Sequence, residues 1–251
     1  MNTGEILTSV QNKVATIRFS HPAGNSFPSV LLERLIANIK RFDKEKNVTV
    51  IILKSDGDKA FCAGASFDEL VAIQNLEQGK QFFIGFANLL NTMRKSNKII
   101  VGRVQGKAVG GGVGIISACD YVFATENASI KLSELSIGIG PFVIEPAVER
   151  KIGVSALSEL SLDPTHWKTA YWAEKKGLYH KVFDTVLDMD KSVEEFTQKL
   201  ANYNPEALLE MKKVLWKNTD NWNELLEKRA LISGKLVLSD FTKNALQKFK
   251  K

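Results

Sequence analysis

The first half of the chain alternates between short β-forming runs and stretches with helical periodicity, and this pattern most restricts the fold. Residues 14–19, 48–55 and 99–106 are rich in valine and isoleucine and are predicted to be strands. Between them, residues 28–42 and 82–93 repeat apolar side chains every three or four positions, which predicts helices. Such alternation predicts an α/β fold with a largely buried sheet.

The second half of the chain has a different pattern. A glycine-rich turn at residues 110–112, a short helix to Ala118 and a strand at residues 121–124 continue the alternation. After Pro146 the strand signals fade, and from Val154 onward the periodicity is helical almost throughout. The predicted helices of this tail are residues 193–200, 207–216, 222–236 and 241–249. We expect the tail either to pack back on the core or to form contacts between subunits.

The composition is that of an ordinary globular protein. The 251 residues are 44% hydrophobic and 25% charged, which excludes a disordered or collagen-like chain and allows a large core. Cys62 and Cys119 are too few for a disulfide framework, so a reducing compartment, the cytoplasm, is expected. The longest nearly apolar run, residues 108–119, is too short to span a bilayer, so no membrane insertion is expected.

The net charge of +6 favours an acidic partner, which composition alone leaves open among nucleic acid, an anionic membrane and a phosphorylated small molecule. Lysines are spread along the chain apart from one cluster near the end, which is typical of a solvated helix face. The cluster consists of Lys243, Lys248, Lys250 and Lys251. Without a basic stripe interleaved with aromatics, no nucleic-acid binding is expected.

Several catalytic and nucleotide-binding motifs are incomplete. The segment around Gly106 lacks the spacing and the final Ser or Thr of a phosphate-binding loop, and Ser117 stands where a dinucleotide fingerprint needs its third glycine. Asp68 replaces the closing glycine of a nucleophile elbow. The three histidines are too scattered to predict a metal site or a catalytic base. They are His21, His166 and His180.

Three segments remain that could carry chemistry. Residues 59–70 and 105–120 each place small residues where a strand turns into a helix, which lets a ligand approach free backbone N–H groups. Two such turns side by side can aim two donors at one oxygen, as in an oxyanion hole, although tight chain packing explains either turn alone. In the third segment, residues 130–153, Glu134 follows a short strand and precedes a loop closed by Pro141.

Taken in order, these segments resemble the enoyl-CoA hydratase/isomerase (crotonase) superfamily. The resemblance begins at residues 21–27 (HPAGNSF), includes the AGA-type turn, the GGG-type turn ending in ACD and the glutamate before an IG loop, and continues to residues 172–178 (WAEKKGL). It implies a crotonase spiral of ββα units over residues 1–190. It also implies a C-terminal helical trimerisation region over residues 191–251, and hence a homotrimer or a dimer of trimers.

The resemblance also assigns roles to particular residues. Ala65 and Gly111 match the family residues whose N–H groups hold the thioester oxygen, and Glu134 matches the acid/base glutamate. The positions implied in binding substrate and coenzyme A are Ala63, Gly64, Ser66, Gly110, Phe241 and Lys243. Coenzyme A would be part of the substrate, so no separate cofactor is expected, and its phosphates suit a basic protein.

One departure from the family pattern concerns the acids. Gly114 stands where hydratases with two acids carry their first glutamate, and Phe142 stands after Pro141, where some members carry an acid. Glu145 is the candidate second acid, although a glutamate at a helix start is also explained by the helix dipole. The chemistry is therefore expected to depend on Glu134.

The glycine at position 114, with LSE and the G-x-G-P-x-x-I-x-P run, resembles bacterial 3-methylglutaconyl-CoA hydratases of leucine breakdown. The carboxylate of such a substrate would need a cation, and Lys131, Arg103 and Lys107 remain open as candidates. A Δ3,Δ2-enoyl-CoA isomerase, which needs one base and an oxyanion hole, is the alternative enzyme. A catalytically inert acyl-CoA-binding or assembly subunit is the alternative from another class.

Overall fold

The computed structural model describes residues 3–248, and its strands form two sheets. In the larger sheet the strand order is β1-β2-β3-β5-β7-β9, with β1 and β2 antiparallel and the other pairs parallel. These strands are β1 Glu5–Gln11, β2 Val14–Ser20, β3 Val50–Ser55, β5 Ile99–Val104, β7 Tyr121–Thr125 and β9 Lys181–Phe183. The smaller sheet is parallel and consists of β4 Ala60–Cys62, β6 Lys107–Val109 and β8 Ile130–Lys131, in that order.

Helices follow most of the strands and then make up the end of the chain. In the first part they are α1 Ser29–Lys44, α2 Phe67–Val71, α3 Leu76–Lys95, α4 Gly111–Ala118, a 3₁₀ turn Glu134–Ile137, and α5 Glu145–Leu162, which is interrupted at Gly153. The later helices are α6 Ala170–Lys175, α7 Val186–Ala201, α8 Pro205–Leu215, α9 Trp222–Leu236 and α10 Asp240–Lys248. The α/β class predicted from the alternating pattern is confirmed.

Burial explains why the sequence forms these elements. All six residues of β5 are buried, so its sequence is continuously apolar apart from Gly102 and Arg103 rather than alternating, as expected for a parallel strand covered on both faces. In α1 the buried side chains recur at helical spacing, which turns one face to the core. They are Leu31, Leu32, Leu35, Ile39 and Phe42.

Four strands were not predicted from the sequence, namely β1, the short β4 and β6, and β9. β1 is mostly exposed and pairs with β2 through a two-residue turn, in which Asn12 and Lys13 have φ of 49° and 65°, values typical of a tight hairpin. β9 corrects the expectation of an almost wholly helical tail, because it adds three residues to the edge of the large sheet beside β7. Its pairing with β7 comes from the tertiary fold, and a three-residue run gives no periodic signal.

The tail packs back on the core, as one of the two expected outcomes. α7 contacts β2, β3, β5, β7 and β9, and the boundary predicted at residue 190 falls inside this helix. α9 lies along α3, and the two backbones meet at Gly79 and Gly234, where a Cβ on Gly79 would stand 2.8 Å from the Gly234 carbonyl oxygen.

The predicted helix end at Phe249 and the lysines at 250 and 251 lie outside the described residues. Within residues 3–248, every helix is too short or too polar to cross a membrane.

A buried ion pair attaches α8 to the large sheet. Lys212 Nζ lies 3.0 Å from Asp120 Oδ2, and the two side chains are 3% and 2% exposed. Asp120 also accepts hydrogen bonds from Ile100 N at 2.7 Å and from Trp216 Nε1 at 2.7 Å, while Lys212 donates to Lys98 O at 2.7 Å. Because these partners satisfy both charges, the pair is tolerated inside the protein.

We therefore expect Lys212→Ala to destabilise the fold by about 3 to 5 kcal/mol, because it leaves the Asp120 carboxylate buried without its counter-charge. Urea unfolding followed by circular dichroism measures this change. Lys213→Ala is the matched control, since Lys213 forms an exposed pair with Glu210 and its loss should cost less than about 1 kcal/mol. Equal effects of the two substitutions would contradict this interpretation.

Candidate functional site

The three parallel strands of the small sheet end at one edge, and each leads into a segment predicted to carry chemistry. β4 leads into residues 63–66, β6 into Gly110, and β8 into Glu134. Because parallel neighbours end side by side, these three segments converge on one cavity of about 200 Å³. Sequence-distant groups are thereby brought together.

The first turn leaves one backbone donor free. Ala63 N donates to Gly24 O at 2.9 Å, Phe27 N donates to Gly64 O at 2.8 Å, and Ser66 N donates to Phe27 O at 3.1 Å. Ala65 N–H has no hydrogen-bond acceptor among the described residues, and Ala65 lines the cavity. Its N–H is therefore available to a ligand.

The second turn leaves a second donor free. Gly110 has φ 51° and ψ −117°, a conformation that a side chain would strain, and its N–H donates to Lys131 O at 2.9 Å. Gly111 begins α4, and its N–H has no acceptor within residues 3–248. A Cβ on Gly64 would stand 3.7 Å from Gly111 N, so the two turns are in contact. Two N–H donors beside one cavity can stabilise a negatively charged oxygen.

Glu134 lies directly against this second turn. Its Oε1 would be 2.7 Å from a Cβ on Gly110, so the carboxyl lies directly against the backbone of that glycine. Its Oε2 is buried and has no hydrogen-bond partner. Burial raises the pKa of Glu134 from its usual 4.5 to about 7, against the opposing effect of a backbone hydrogen bond. A carboxyl group of this kind exchanges a proton near neutral pH, as an acid/base catalyst must.

Aromatic side chains from α3 form the apolar wall of the cavity. Phe82, Phe83 and Phe86 all line it, and a Cβ on Gly111 would be 2.6 Å from Phe86 Cζ. The sequence predicted these residues only as the apolar face of a helix, because wall and core positions share the same periodicity.

Ile144 occupies the place of the acid missing at Gly114. A Cβ on Gly114 would stand 2.7 Å from Ile144 Cβ, and both residues are buried, Ile144 in the cavity wall. A glutamate side chain has no room there unless Ile144 moves. The absence of an acid at position 114 therefore involves two residues, since Ile144 occupies the space beside Gly114.

Comparison with known proteins identifies the family. The enoyl-CoA hydratase/isomerase family model matches residues 9–250. The chain belongs to the enoyl-CoA hydratase/isomerase family. The predictions of this family and of an enzyme are thereby confirmed, and an acyl-CoA thioester substrate is consistent with it.

Individual members are distant in sequence. The chain is 27% identical over 210 residues to the short-chain-enoyl-CoA hydratase of Clostridium acetobutylicum, covering 83% of this chain and 79% of the relative. It is 26% identical over 213 residues to the 2,3-dehydroadipyl-CoA hydratase of Escherichia coli, covering 84% and 81%. The crystal structure of enoyl-CoA hydratase from Bacillus halodurans has a TM-score of 0.89 at 21% identity, covering 97% of this chain and 99% of that one, which confirms the crotonase fold.

Six of the residues implied by the resemblance to this family line the cavity. They are Ala63, Gly64, Ala65, Gly110, Gly111 and Glu134. The hydroxyl of Ser66 instead accepts a hydrogen bond from Glu69 N at 3.4 Å and caps α2. On α10, Phe241 lies against Gly138, in the turn after Glu134, but is 65% exposed, and Lys243 is exposed as well.

The charged candidates lie outside the cavity lining. Glu145 begins α5 and pairs with Arg229 at 3.0 Å, which agrees with the helix-start interpretation. Arg103 of β5 donates to Asp190 of α7 at 2.7 Å. The amino groups of Lys107 and Lys131 lie 5.1 Å and 4.7 Å from the centre of the Trp167 ring. None of these three cations lines the cavity.

No group of three or more metal-ligating side chains occurs among residues 3–248.

The raised pKa of Glu134 makes stability depend on pH in a defined direction. This carboxyl ionises near pH 4.5 in the unfolded chain and near pH 7 in the folded chain. The free energy of unfolding of the wild type therefore falls as the pH rises from 4.5 to 7, and the loss stays constant at higher pH. We expect the free energy of unfolding of Glu134→Gln minus that of the wild type to rise from pH 4.5 to pH 7 and then to level off. Urea unfolding at a series of pH values measures this difference, and a difference independent of pH would contradict the assignment.

Proposed function

We propose that this enzyme is a hydratase of 2-enoyl-CoA thioesters, with 3-methylglutaconyl-CoA as its substrate. The observation that carries the proposal is the unpartnered Oε2 of Glu134 in the cavity that also receives the two unpartnered N–H groups of Ala65 and Gly111. Two relatives named as enoyl-CoA-type hydratases support it, and one of them is named for 2,3-dehydroadipyl-CoA, an acyl group with a carboxylate at its far end.

In this proposal the thioester oxygen accepts hydrogen bonds from Ala65 N–H and Gly111 N–H. Ionised Glu134 takes a proton from water as the water oxygen bonds to C3. The C2=C3 electron pair then moves toward the thioester, whose oxygen becomes an enolate. Glu134, or water, returns a proton to C2, so that H and OH are added in total. The two donors stabilise charge that develops only during the reaction, which typically gives about 10²- to 10³-fold per donor.

The same proposal places coenzyme A along the first turn. The backbone of Ala63, Gly64 and Ser66 would lie along adenine and pantetheine, and Gly110 would face the thioester. Phe241 and Lys243 would close the site from α10, which the packing of Phe241 against Gly138 supports. Coenzyme A enters as part of the substrate, and no further cofactor is proposed.

A Δ3,Δ2-enoyl-CoA isomerase is the second candidate, and the Ile144 side chain favours it. An isomerase moves one proton from C2 to C4 and needs one base, whereas two-acid hydratases use a second carboxyl to hold water. Because Ile144 fills that position against Gly114, the described cavity presents Glu134 as its single lining carboxyl.

Substrate assays separate the two reactions. We expect turnover of 3-methylglutaconyl-CoA to exceed that of crotonyl-CoA, with no conversion of a 3-enoyl-CoA, each followed by ultraviolet absorbance and chromatography. Turnover of the 3-enoyl-CoA alone would overturn the hydratase proposal in favour of the isomerase.

Substitution of Glu134 tests whether it is the catalytic acid/base. We expect Glu134→Gln to lower kcat at least about 100-fold, because the amide cannot exchange a proton. Glu145→Gln is the matched control, and kcat should change less than about threefold since that carboxyl faces Arg229. Unchanged activity in Glu134→Gln would instead support the inert acyl-CoA-binding subunit.

We also propose that the chain assembles as a homotrimer or a dimer of trimers. Sedimentation or light scattering should give a mass about three or six times the 27.9 kDa of one chain. A monomer at micromolar concentration would contradict this proposal.

A further inference from the structure

Ser233 is a buried polar residue in a mostly apolar part of the cavity. It belongs to α9, is 1% exposed and lines the cavity. Its Oγ is buried and has no hydrogen-bond partner. Among the described residues, Glu134 and Ser233 are the two that both line this cavity and hold an unpartnered buried side-chain oxygen. Such a group is costly unless a ligand satisfies it.

Other buried hydroxyls in helices of this protein satisfy themselves. Ser117 Oγ donates to Val113 O at 2.8 Å, and Thr197 Oγ1 donates to Val193 O at 2.8 Å, both four residues earlier. Ser233 does not make the equivalent bond to Arg229 O. Its hydroxyl is therefore not used within the helix and remains without a partner in a residue that lines the cavity.

The packing of α3 and α9 places Ser233 away from the reacting groups. Ser233 adjoins Gly234, which meets Gly79 of α3, whereas Phe86 of the same helix touches Gly111. Gly79 and Phe86 are about two helical turns, or about 10 Å, apart along α3. An acyl chain whose thioester lies at Gly111 therefore extends along the phenylalanine wall toward Ser233.

The arginine that precedes Ser233 on α9 is already paired. Arg229 lies one turn earlier on the same helix face, and its Nε is buried without a hydrogen-bond partner. Its Nη2 is 3.0 Å from Glu145 Oε2, and Glu149 is the other acid close to Glu145. Glu145 and Glu149 thus offset the charge of Arg229, which does not line the cavity, so the Ser233 hydroxyl is the polar donor that α9 offers there.

We infer that Ser233 is a specificity-determining residue, whose hydroxyl donates a hydrogen bond to a carboxylate at the far end of the acyl chain. The inference rests on the proposed function for the placement of the thioester. It also takes from that function a substrate with a second carboxylate, and it adds the residue that recognises this group.

Binding of unreactive thioesters tests this inference independently of catalysis. Glutaryl-CoA and valeryl-CoA have the same five-carbon chain and differ in the end group, carboxylate or methyl. Isothermal titration calorimetry should give a Kd at least about tenfold lower for glutaryl-CoA with the wild-type protein. An equal or lower Kd for valeryl-CoA would overturn the inference. A 5-hydroxypentanoyl-CoA that binds as tightly as glutaryl-CoA would overturn the assignment of a carboxylate.

Ser233→Ala identifies the residue responsible. Because alanine is smaller and suits a helix, the fold should be retained, and the Kd of glutaryl-CoA should rise about tenfold while that of valeryl-CoA changes less than about twofold. Ser161→Ala is the matched control, since Ser161 of α5 also holds a buried unpartnered hydroxyl but does not line the cavity. An equal change for both ligands in Ser233→Ala would contradict the role.

The two proposals fail in different ways. If the wild type prefers glutaryl-CoA but hydrates no 2-enoyl-CoA, the hydratase proposal fails and the role of Ser233 stands. If glutaconyl-CoA and 2-pentenoyl-CoA are hydrated with equal kcat/KM and their saturated analogues bind equally, the hydratase proposal stands and the role of Ser233 fails.

Discussion

The candidate site depends on the parallel pairing of three very short strands. β4, β6 and β8 contain three, three and two residues, yet their pairing sets the positions of the Ala65 N–H, the Gly111 N–H and the Glu134 carboxyl. Strands this short are unstable alone, so their register depends on the surrounding core. Any change that shifts β6 relative to its neighbours would move the Gly111 N–H away from both the Ala65 N–H and the Glu134 carboxyl.

The electrostatics of the site follow from the burial of Glu134 in apolar surroundings. Glu134 has no cation or side-chain donor at Oε2, and burial alone accounts for the higher pKa. An arginine at this position would hold the carboxylate ionised and make it a poor acid. Ile144 adds to these apolar surroundings, because its side chain fills the space beside Gly114. The fold thus keeps the pKa of the Glu134 carboxyl near 7, because it buries the group without a counter-charge.

The predictability of the fold differs between its parts. Long periodic segments such as α1 and α9 were predicted to within a few residues, because their buried faces are visible in the spacing of apolar side chains. β9 was missed since three residues cannot carry a period. The glycine turns and Glu134 were recognisable by their order along the chain. Ile144 and Ser233 could not be recognised, because their importance comes from neighbours that are distant in sequence.

The contact between Gly79 and Gly234 has a consequence for how the acyl site can change. With backbone against backbone, even one added methyl group would push α9 away from α3. This crossing therefore fixes the spacing of the two helices beside the cavity. Changes in the shape of the acyl site are then expected in side chains that line it, such as Phe82, Phe83 and Phe86 of α3. The protein can alter its cavity by exchanging rings while the helix pair that carries them stays in place.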